Sequence, residues 1–374
     1  MPSKKVSNFN SSNNKPKILS LFSGCGGLDL GFHKAGYETV WANDFSHWAC
    51  ASFRKNIGNV IVEGDIEQID PNDPTIPDCD IILGGFPCQD FSMIWKQPGL
   101  EGERGNLYKS FLRFVNAKKP KVFVAENVKG LLTANKRKAI QQIITDFENC
   151  GYYVQAKLYN FAEFGVPQFR ERVLIVGVRL DTGFDFHHPE PTHGENTDHG
   201  LLPYVTAGQA ISDIPENTSN HEKLKISEQT KKRLDLIPEG GNYSDIPRDH
   251  PLYVKSMLSL VYRRMHRDKP STTIIAAGGG GTWGYHFPEP RAFTNRERAR
   301  LQSFPDNFEF IGSTTEVRRQ IGNAVPPQGV VELAKAILPI FSDSYQKVDL
   351  HEKLEAEKHA VFQDRLNKIR GGKR

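Results

Sequence analysis

The sequence contains few cysteines and no long apolar run. Five of its 374 residues are cysteine, at positions 25, 50, 79, 88 and 150, and no two have Cys-x-x-Cys spacing. An odd number without paired spacing disfavours both a disulfide framework and a structural zinc site. No run of 18 apolar residues occurs, so the sequence predicts no membrane span. We therefore expect a protein of the reducing cytoplasm that binds neither a metal nor a membrane.

The sequence also lacks a strong excess of either charge. Lys and Arg number 48 against 44 Asp and Glu, which leaves a formal net charge of +4. A nucleic-acid surface would therefore have to be a local basic patch. The apolar residues, 38% of the chain, suffice for one large domain and a small one. Residues 1–16 are polar, have no apolar segment typical of a signal peptide, and are predicted to be a disordered lead.

A strand, a glycine turn and a helix form the first pattern that carries chemistry. Residues 17–35 predict these three elements in that order. Residues 39–44 predict a second strand, which ends in Asp44, twenty residues after Gly24, where an acid can bind ribose hydroxyls. Such a unit begins a nucleotide-binding, doubly wound α/β sheet. Asp29 occupies the last glycine position of the dinucleotide fingerprint, which disfavours a nicotinamide or flavin cofactor.

A second pattern ends in a cysteine. Residues 80–84 predict a buried strand, and a short segment then leads through Pro87 to Cys88. Proline fixes φ, so the thiol is held at a defined angle. The loop at residues 89–106 contains glycines that allow it to move. Cys88 is either an ordinary buried cysteine or a nucleophile over which this loop closes.

Two later strands carry charged residues that could meet Cys88. Residues 121–128 predict a strand with Glu126 near its end, and the carboxyl ends of parallel strands share one sheet edge. Arg170 and Arg172 alternate on an extended segment, so both are expected on one face, where they suit a phosphate or carbonyl oxygen. The alternatives are a salt-bridged edge acid and a solvated basic edge.

The character of the sequence changes after Arg179. Residues 181–295 are rich in His, Pro, Asn and Gly, and their poor periodicity predicts a second, irregular domain. Basic clusters, one of them containing Arg263, Arg264 and Arg267, alternate there with aromatic residues. This composition suits a surface on which cations contact phosphates and a few side chains read base edges.

Several of these motifs together resemble one family. Phe86-Pro87-Cys88-Gln89, followed by Glu126-Asn127-Val128, resembles the nucleophile and acid motifs of the C5-cytosine DNA methyltransferases. Other family motifs occur in the same order: Phe22-x-Gly24-x-Gly26-Gly27, Gln168-x-Arg170-x-Arg172, the stretch 293–306, and the stretch 320–327. The resemblance covers about residues 17–341 and is specific because all the principal motifs are present at consistent spacing.

The resemblance implies a fold and its boundaries. The fold is a Rossmann-like doubly wound sheet, as in class I S-adenosylmethionine-dependent methyltransferases, with a smaller, irregular target-recognition domain. The implied segments are a catalytic and cofactor-binding domain at 17–184, a recognition domain at 185–295, a hinge and return at 296–341, and a charged tail at 342–374.

The resemblance also implies the cofactor S-adenosylmethionine and the residues that bind it. Since this cofactor has no phosphate, the glycines would serve close backbone approach. Asp65 also suits a helix cap or turn, and sequence alone favours that interpretation. The implied cofactor-binding residues are Phe22, Gly24, Gly26, Gly27, Leu28, Asp44, Phe45, Asp65, Ile66, Pro87, Leu107, Asn323 and Ala324.

The implied reaction is methylation of carbon 5 of a cytosine flipped out of duplex DNA. Cys88 would add to C6, Glu126 would protonate or bond N3, and Arg170 and Arg172 would be the cationic groups, with Arg172 at the base carbonyl. We expect a monomer that protects host DNA in a restriction-modification system, whose endonuclease is not a bound partner. The residues expected to contact DNA are Gln89, Ser92, Arg263, Arg264 and Arg267.

Three alternative functions remain. A tRNA-cytosine methyltransferase shares the motifs, but the long recognition region and Phe86, in place of a second proline before Pro87, favour DNA. A nicotinamide-dependent dehydrogenase is disfavoured by Asp29 and leaves Cys88 with Glu126 unexplained. A non-catalytic DNA-binding module is disfavoured by the presence of the same cysteine and acid with Arg172.

Overall fold

The structure is a computed structural model that describes residues 15–87, 107–197, 200–256, 258–276, 284–342 and 345–359. Parts of four predictions lie outside these residues: most of the N-terminal lead, Cys88, the loop 89–106 with Gln89 and Ser92, and the end of the C-terminal tail.

Seven strands of the described chain form one sheet. They are β1 (Lys17–Leu21), β2 (Glu38–Asp44), β3 (Ile61–Glu63), β4 (Ile81–Gly84), β5 (Val122–Val128), β6 (Tyr152–Asn160) and β7 (Glu171–Arg179). Their order is β3-β2-β1-β4-β5-β7-β6, and β7 is antiparallel to both of its neighbours, whereas the other pairs are parallel. A two-stranded pair, β8 (His193–Gly194) and β9 (Leu202–Pro203), lies apart from this sheet.

Helices cover both faces of the sheet. Those of the large domain are α1 (Gly27–Lys34), α2 (His47–Asn56), α3 (Leu107–Lys118) and α4 (Lys138–Asn149). Successive strand residues alternate between two cores, because side chains along a strand point to opposite faces. Leu19 and Ile82 pack with Phe111 of α3, whereas Ile18 and Ile81 belong to the core on the other face. The predicted doubly wound α/β fold is confirmed.

The strand order reverses between β1 and β4. In open α/β sheets, ligands bind outside the carboxyl ends of the strands at such a switch point. The glycine turn follows β1, Pro87 follows β4, Asp44 ends β2, and Glu126 lies near the end of β5. The fold therefore gathers four of the predicted site segments at one edge of the sheet.

The second domain contains short helices and irregular chain. Helices α5 (Ala207–Ile211) and α6 (Glu228–Asp235) lie in this domain, and α7 (Asn295–Leu301) and α8 (Thr314–Asn323) lie in the segment that returns from it. Two further helices, α9 (Val331–Ile337) and α10 (Leu350–His359), pack in the core of the large domain. A small core of Leu234, Ile237, Ile246, Tyr262 and Tyr285 holds the outer part of the second domain together. A second core joins α5 to α7 and α8, and includes Cys25 of the glycine turn.

Three details differ from the sequence expectations. Phe184 and Phe186 pack in the core of the large domain, so this domain extends past residue 184. The return segment predicted at residues 296–341 ends in α9 between two 3-10 turns, Pro327–Val330 and Leu338–Phe341, each of which begins with or contains proline. The tail contains α10, whose Leu350 is buried in the same core.

In the described ranges, no helix has both the length and the apolar character needed to cross a membrane. The same ranges contain no group of three or more His, Cys, Asp or Glu residues arranged to hold a metal ion.

Candidate active site

The turn after β1 needs glycine at several positions. Gly24 and Gly26 have φ values of +56° and +91°, in the left-handed region that glycine adopts without strain. A Cβ at Gly26 would also lie 2.8 Å from Cγ1 of Ile57. Phe22 has φ +52°, a strained conformation for an aromatic residue, and such strain clusters at functional sites. The turn is therefore a specific backbone conformation rather than a flexible linker.

Gly27 brings the last sequence motif to this turn. A Cβ at Gly27 would lie 2.3 Å from the carbonyl oxygen of Val325, so only glycine allows the two backbones to approach this closely. The neighbouring Asn323 is exposed and Ala324 is half-buried. The side chain of Leu28, in contrast, belongs to the hydrophobic core. Ala324 also lies close to Gly27, with its Cβ 3.3 Å from the position of an added Cβ. Contacts of Asn323 and Ala324 with a cofactor remain predictions.

Asp44 ties the end of β2 to the glycine turn. Its Oδ2 accepts a hydrogen bond from the Gly24 backbone N–H at 2.8 Å, and its Oδ1 accepts one from Ser46 N–H at 2.8 Å. Burial raises the pKa of Asp44, while these bonds oppose the rise. Phe45, the next residue, is 77% exposed. A carboxylate beside an exposed aromatic ring fits a nucleoside whose ribose is bonded and whose base is stacked.

Asp65, Ile66 and Leu107 lie on the neighbouring elements. Asp65 accepts a hydrogen bond from Glu67 N–H at 3.0 Å and caps a short 3-10 helix, so the capping interpretation is correct. Ile66 is buried in the core, and its carbonyl accepts a bond from Arg113 of α3 at 2.8 Å. Leu107 is half-buried at the start of α3. Their contacts with a cofactor remain predictions.

Glu126 and Arg172 form an ion pair at the sheet edge. The Nε atom of Arg172 lies 2.8 Å from Oε1 of Glu126, and the two side chains are 14% and 12% exposed. The antiparallel register of β5 and β7, which pairs Val128 with Arg172, makes this contact possible. A Cβ at Gly85 would lie 3.0 Å from Oε2 of Glu126. The carboxylate therefore lies against the segment that leads from β4 into Pro87.

Asn127 is a site residue for which the sequence analysis predicted no role. It is buried, and its Nδ2 donates a hydrogen bond to the carbonyl of Phe86 at 3.0 Å. This bond fixes the backbone immediately before Pro87. The available sequence signal was an amide in a strand whose other residues, apart from Glu126, are apolar, because a buried polar group needs a partner.

Asp29 is a second residue with an unpredicted role. It lies fully buried beneath the turn, where Oδ2 accepts a bond from the Ser20 hydroxyl and Oδ1 one from the Thr39 hydroxyl, both at 2.9 Å. Burial raises its pKa to about 6, although both hydroxyl bonds oppose the rise. Asp29 thus links β1, α1 and β2 below the expected cofactor position.

The structure corrects the role expected for Arg170. Its side chain is 1% exposed, and its guanidinium donates three hydrogen bonds of 3.0 Å to the backbone carbonyls of Ile274, Gly322 and Ala324. An arginine held in this way cannot present its guanidinium to a substrate base. Arg172 is therefore the member of the pair that remains at the site.

Arg264 is also buried, against the expectation that it contacts DNA. Its guanidinium donates to four backbone carbonyls, those of Leu234, Ile237, His286 and Phe287. Arg263 donates to the carbonyls of Gly240 and Ser259, and Arg267 pairs with Glu239 at 3.1 Å. The last two keep part of their surface exposed, so DNA contacts by them remain predictions.

Other cysteines in the described residues are poor nucleophiles. Burial raises the pKa of Cys25, Cys50 and Cys79 to about 12 in each case. A thiol with such a pKa is protonated at neutral pH and therefore unreactive.

Comparison with known proteins identifies the family. The model of the C-5 cytosine-specific DNA methylases matches residues 16–339. Type II methyltransferase M.NgoFVII of Neisseria gonorrhoeae is 86% identical over 373 residues, which cover 100% of both chains. Type II methyltransferase M.BbvI of Brevibacillus brevis is 44% identical over 345 residues, covering 86% of this chain and 90% of the relative.

Solved structures share the fold at lower identity. A putative DNA modification methyltransferase encoded within an E. coli prophage matches with a TM-score of 0.69 and 20% identity, over 88% of this chain and 100% of that one. The S. pombe Dnmt2 methyltransferase matches with a TM-score of 0.61 and 18% identity, over the same shares. The chain thus belongs to the C-5 cytosine-specific DNA methylases, enzymes that methylate carbon 5 of cytosine in DNA with S-adenosylmethionine.

Proposed function

We propose that this methyltransferase modifies one short duplex sequence through a covalent Cys88 intermediate on a flipped-out cytosine, and that it protects host DNA in a restriction-modification system. The observation that carries the catalytic part is the Glu126–Arg172 pair, whose carboxylate lies against Gly85, three residues before Cys88. The type II names of the relatives support the biological role.

The residues around the glycine turn fit the cofactor. A Cβ at Gly24 would meet no atom within 4 Å, so this position would allow close approach, whereas Gly26 and Gly27 pack against Ile57 and Val325 and shape the turn. Asp44 would accept bonds from ribose hydroxyls, and the exposed ring of Phe45 would stack on the adenine. S-adenosylmethionine supplies an electrophilic methyl group when it is bound there.

Cys88 and Glu126 would activate the cytosine. The thiolate of Cys88 forms a bond to C6, and the electron pair of the C5–C6 double bond becomes available at C5. Glu126 donates a proton or a strong hydrogen bond to N3, which stabilises the adduct. Arg172 holds the base carbonyl and, through its ion pair, orients Glu126. Once C5 carries the methyl group, its proton leaves to a base, the double bond re-forms, and the Cys88 sulfur departs.

Base flipping follows from the geometry of duplex DNA. A nucleophile must approach C6 from a face of the ring, and in a duplex the neighbouring bases cover both faces, so the base must leave the helix. The recognition domain would hold the duplex through phosphate contacts and read the target through base edges. Arg263 and Arg267 are the described members of the predicted contact set that retain exposure.

A trapping experiment tests the covalent step. Duplex DNA with 5-fluorocytosine at the target position should give a covalent complex that survives denaturing electrophoresis in the presence of S-adenosylmethionine. Fluorine cannot leave C5 as a cation, so the adduct cannot eliminate. The complex should disappear in Cys88→Ser and persist in Cys150→Ser, a matched control outside the site.

The same assay separates the competing substrates. A band with 5-fluorocytosine tRNA and none with duplex DNA would replace the DNA proposal with tRNA methylation. Turnover of ordinary duplex DNA without any trapped complex would mean that methyl transfer does not pass through a Cys88 adduct.

A further inference from the structure

We infer that Arg170 is a positioning residue that couples DNA binding to cofactor binding by joining the recognition domain to the cofactor turn. The inference rests on the proposed function, since it assigns DNA to the recognition domain and S-adenosylmethionine to the turn. Its first support is the set of three bonds made by one guanidinium.

One of these bonds reaches the recognition domain, and the other two reach the segment that returns to the large domain. Nη1 donates to the carbonyl of Ile274, in the recognition segment that is bonded to the chain before β7. Nη2 donates to the carbonyls of Gly322 and Ala324, at the carboxyl end of α8. Because Arg170 lies two residues before Arg172, one side chain fixes the recognition segment, the last motif and the catalytic strand relative to one another.

Close backbone packing continues this connection to the cofactor turn. A Cβ at Gly322 would lie 2.2 Å from the backbone N of Ala276, so the last motif contacts the recognition segment directly. On the other side, a Cβ at Gly27 would lie 2.3 Å from the carbonyl oxygen of Val325. A displacement of the recognition segment would therefore also move the last motif and, through it, the glycine turn.

A pair of glutamines runs parallel to Arg170. Oε1 of Gln168 accepts a hydrogen bond from Ile274 N–H at 2.7 Å, and its Nε2 donates to Oε1 of Gln302 at 2.8 Å. Gln302 in turn donates to the carbonyls of Ile321 and Ala324. The junction is thus a connected set of polar side chains, all buried, that bridges the same backbone segments twice.

The electrostatics of Arg170 favour this positioning role over simple packing. Burial, together with the nearby charge of Arg172, lowers the pKa of Arg170 to about 9. Glu126 is already paired with Arg172, and the hydrogen-bond partners of Arg170 among the described residues are three backbone carbonyls. Two of these lie at the negative end of the α8 dipole, which stabilises a cation. The charged form of Arg170 is therefore stabilised mainly by the carbonyls around it, and it depends on their positions.

Linkage gives the inference a measurable form. If DNA binding secures the Ile274 segment, it also secures the carbonyls that pack on the glycine turn, so DNA should tighten cofactor binding. By reciprocity, the cofactor should tighten DNA binding by the same factor. Lysine at position 170 keeps the charge but replaces the planar guanidinium, whose two terminal nitrogens donate to separate segments, with a single nitrogen at a different position.

The experiment uses the full-length protein and S-adenosylhomocysteine, which binds without reacting. The Kd of S-adenosylhomocysteine is measured by calorimetry with and without a duplex that contains the target sequence of the enzyme. In the wild type, DNA should tighten binding at least about 5-fold. In Arg170→Lys the ratio should fall below about 2-fold. Arg179→Lys, at the other end of β7 and also bonded to a backbone carbonyl, should keep the wild-type ratio.

A folding check and a second variant keep the test decisive. Thermal unfolding establishes whether Arg170→Lys folds. If it does not, Gln302→Met, which removes the parallel bonds at similar volume, should show the reduced ratio instead. If DNA leaves the Kd of the wild type unchanged, the inference is wrong. It is also wrong if Arg170→Lys folds and shows the same ratio of Kd values as the wild type. Should Arg170→Lys not fold, the same result for Gln302→Met would overturn the inference. A wild type that does not methylate DNA contradicts the proposed function itself.

Discussion

At the residue scale, the contacts of Glu126 define its predicted role. It is one of several acids near strand ends, but it alone among them pairs with Arg172 and lies against Gly85. Glu171, one position earlier on the same strand as Arg172, instead pairs with Lys129 in solvent, at 2.8 Å. The two acids thus lie on neighbouring strands and have different partners.

Replacing Glu126 with Gln should therefore lower kcat by about 10²- to 10⁴-fold, because the amide can accept a bond from Arg172 but cannot donate a proton to N3. Affinity for S-adenosylhomocysteine should remain within about 3-fold of the wild type. Steady-state kinetics on duplex DNA and calorimetry measure the two quantities. Glu171→Gln is the control and should retain near-normal kcat. A Glu126→Gln enzyme with wild-type kcat would exclude acid catalysis by this residue.

Asp29 predicts a pH dependence of stability. Its pKa is about 6 in the fold against 3.8 for an ordinary Asp, so the folded state binds more protons between these values. Stability should therefore fall as pH rises from about 4 to 6, by about 3 kcal/mol at roughly 1.4 kcal/mol per pKa unit. Above about pH 6 this loss of unfolding free energy should stay constant, because Asp29 is then ionised in both the folded and the unfolded state.

The variant Asp29→Asn isolates this effect. Its free energy of unfolding, measured with urea at several pH values, should rise relative to the wild type between pH 4 and 6 and then stay level relative to it. Asp249→Asn, at an exposed site, should show no such trend. A difference that is flat or decreases with pH would mean that Asp29 does not titrate in this range.

The two corrected arginines show where residue-scale prediction failed. Sequence placed Arg170 and Arg172 on one face because residues two apart alternate together on a strand. Only the structure shows that Arg170 is surrounded by three carbonyls from distant segments. The prediction for Arg264 failed in the same way. A basic cluster in an irregular segment suggests a solvated surface, but the side chain of Arg264 is buried. Partners that are 22 to 154 residues away in the sequence cannot be inferred from local spacing.

At the element scale, periodicity predicted the large domain well. The predicted strands that became β1, β2, β4 and β5, and the predicted helix that became α1, agree with the structure to within about two residues, because apolar runs bounded by glycine or proline constrain them strongly. The recognition domain gave no such signal. Its elements are short and its small core is built from scattered residues, such as Leu234 and Tyr285, which have no common period.

The helix α10 illustrates an element whose partner the sequence did not reveal. Leu350 and Leu354 pack into the core of the large domain, and Glu357 accepts a hydrogen bond from the Tyr153 hydroxyl at 2.7 Å. Lys353 pairs with Asp185, in the segment that follows the large sheet. Although the sequence around it is charged, α10 is therefore an integral part of the catalytic domain.

Shortening Leu354 should accordingly destabilise the protein. Leu354 is 4% exposed, and Leu354→Ala should lower the free energy of unfolding by about 2–5 kcal/mol through lost burial and the cavity that remains. Leu258→Ala, at a leucine that is 65% exposed, should change it by less than about 0.5 kcal/mol. Urea unfolding provides both values. Equal effects of the two substitutions would show that α10 is not docked in solution.

At the scale of the whole molecule, the boundary between the domains is more complex than the sequence suggests. The chain leaves the large domain only after Phe186 and His188, whose Nδ1 lies 2.9 Å from the Tyr159 hydroxyl. It returns through α7 and α8, which share a core with α5. The outer core around Leu234 is separate from both. The residues that determine DNA specificity are therefore expected in a unit narrower than residues 185–295.

A graft between relatives tests this assignment. Residues 220–290, which contain the outer core and Arg263 and Arg267, are moved into a related enzyme of different specificity, whose own residues up to the equivalent of α5 are kept. The hybrid should methylate the sequence recognised by this protein, read by bisulfite sequencing of host DNA. The reason is that base-reading side chains would travel with the core that positions them. A second hybrid with residues 185–295 should disrupt the packing of Phe186 and express less folded protein. If the narrower hybrid is active but keeps its host's target sequence, the specificity residues lie outside 220–290.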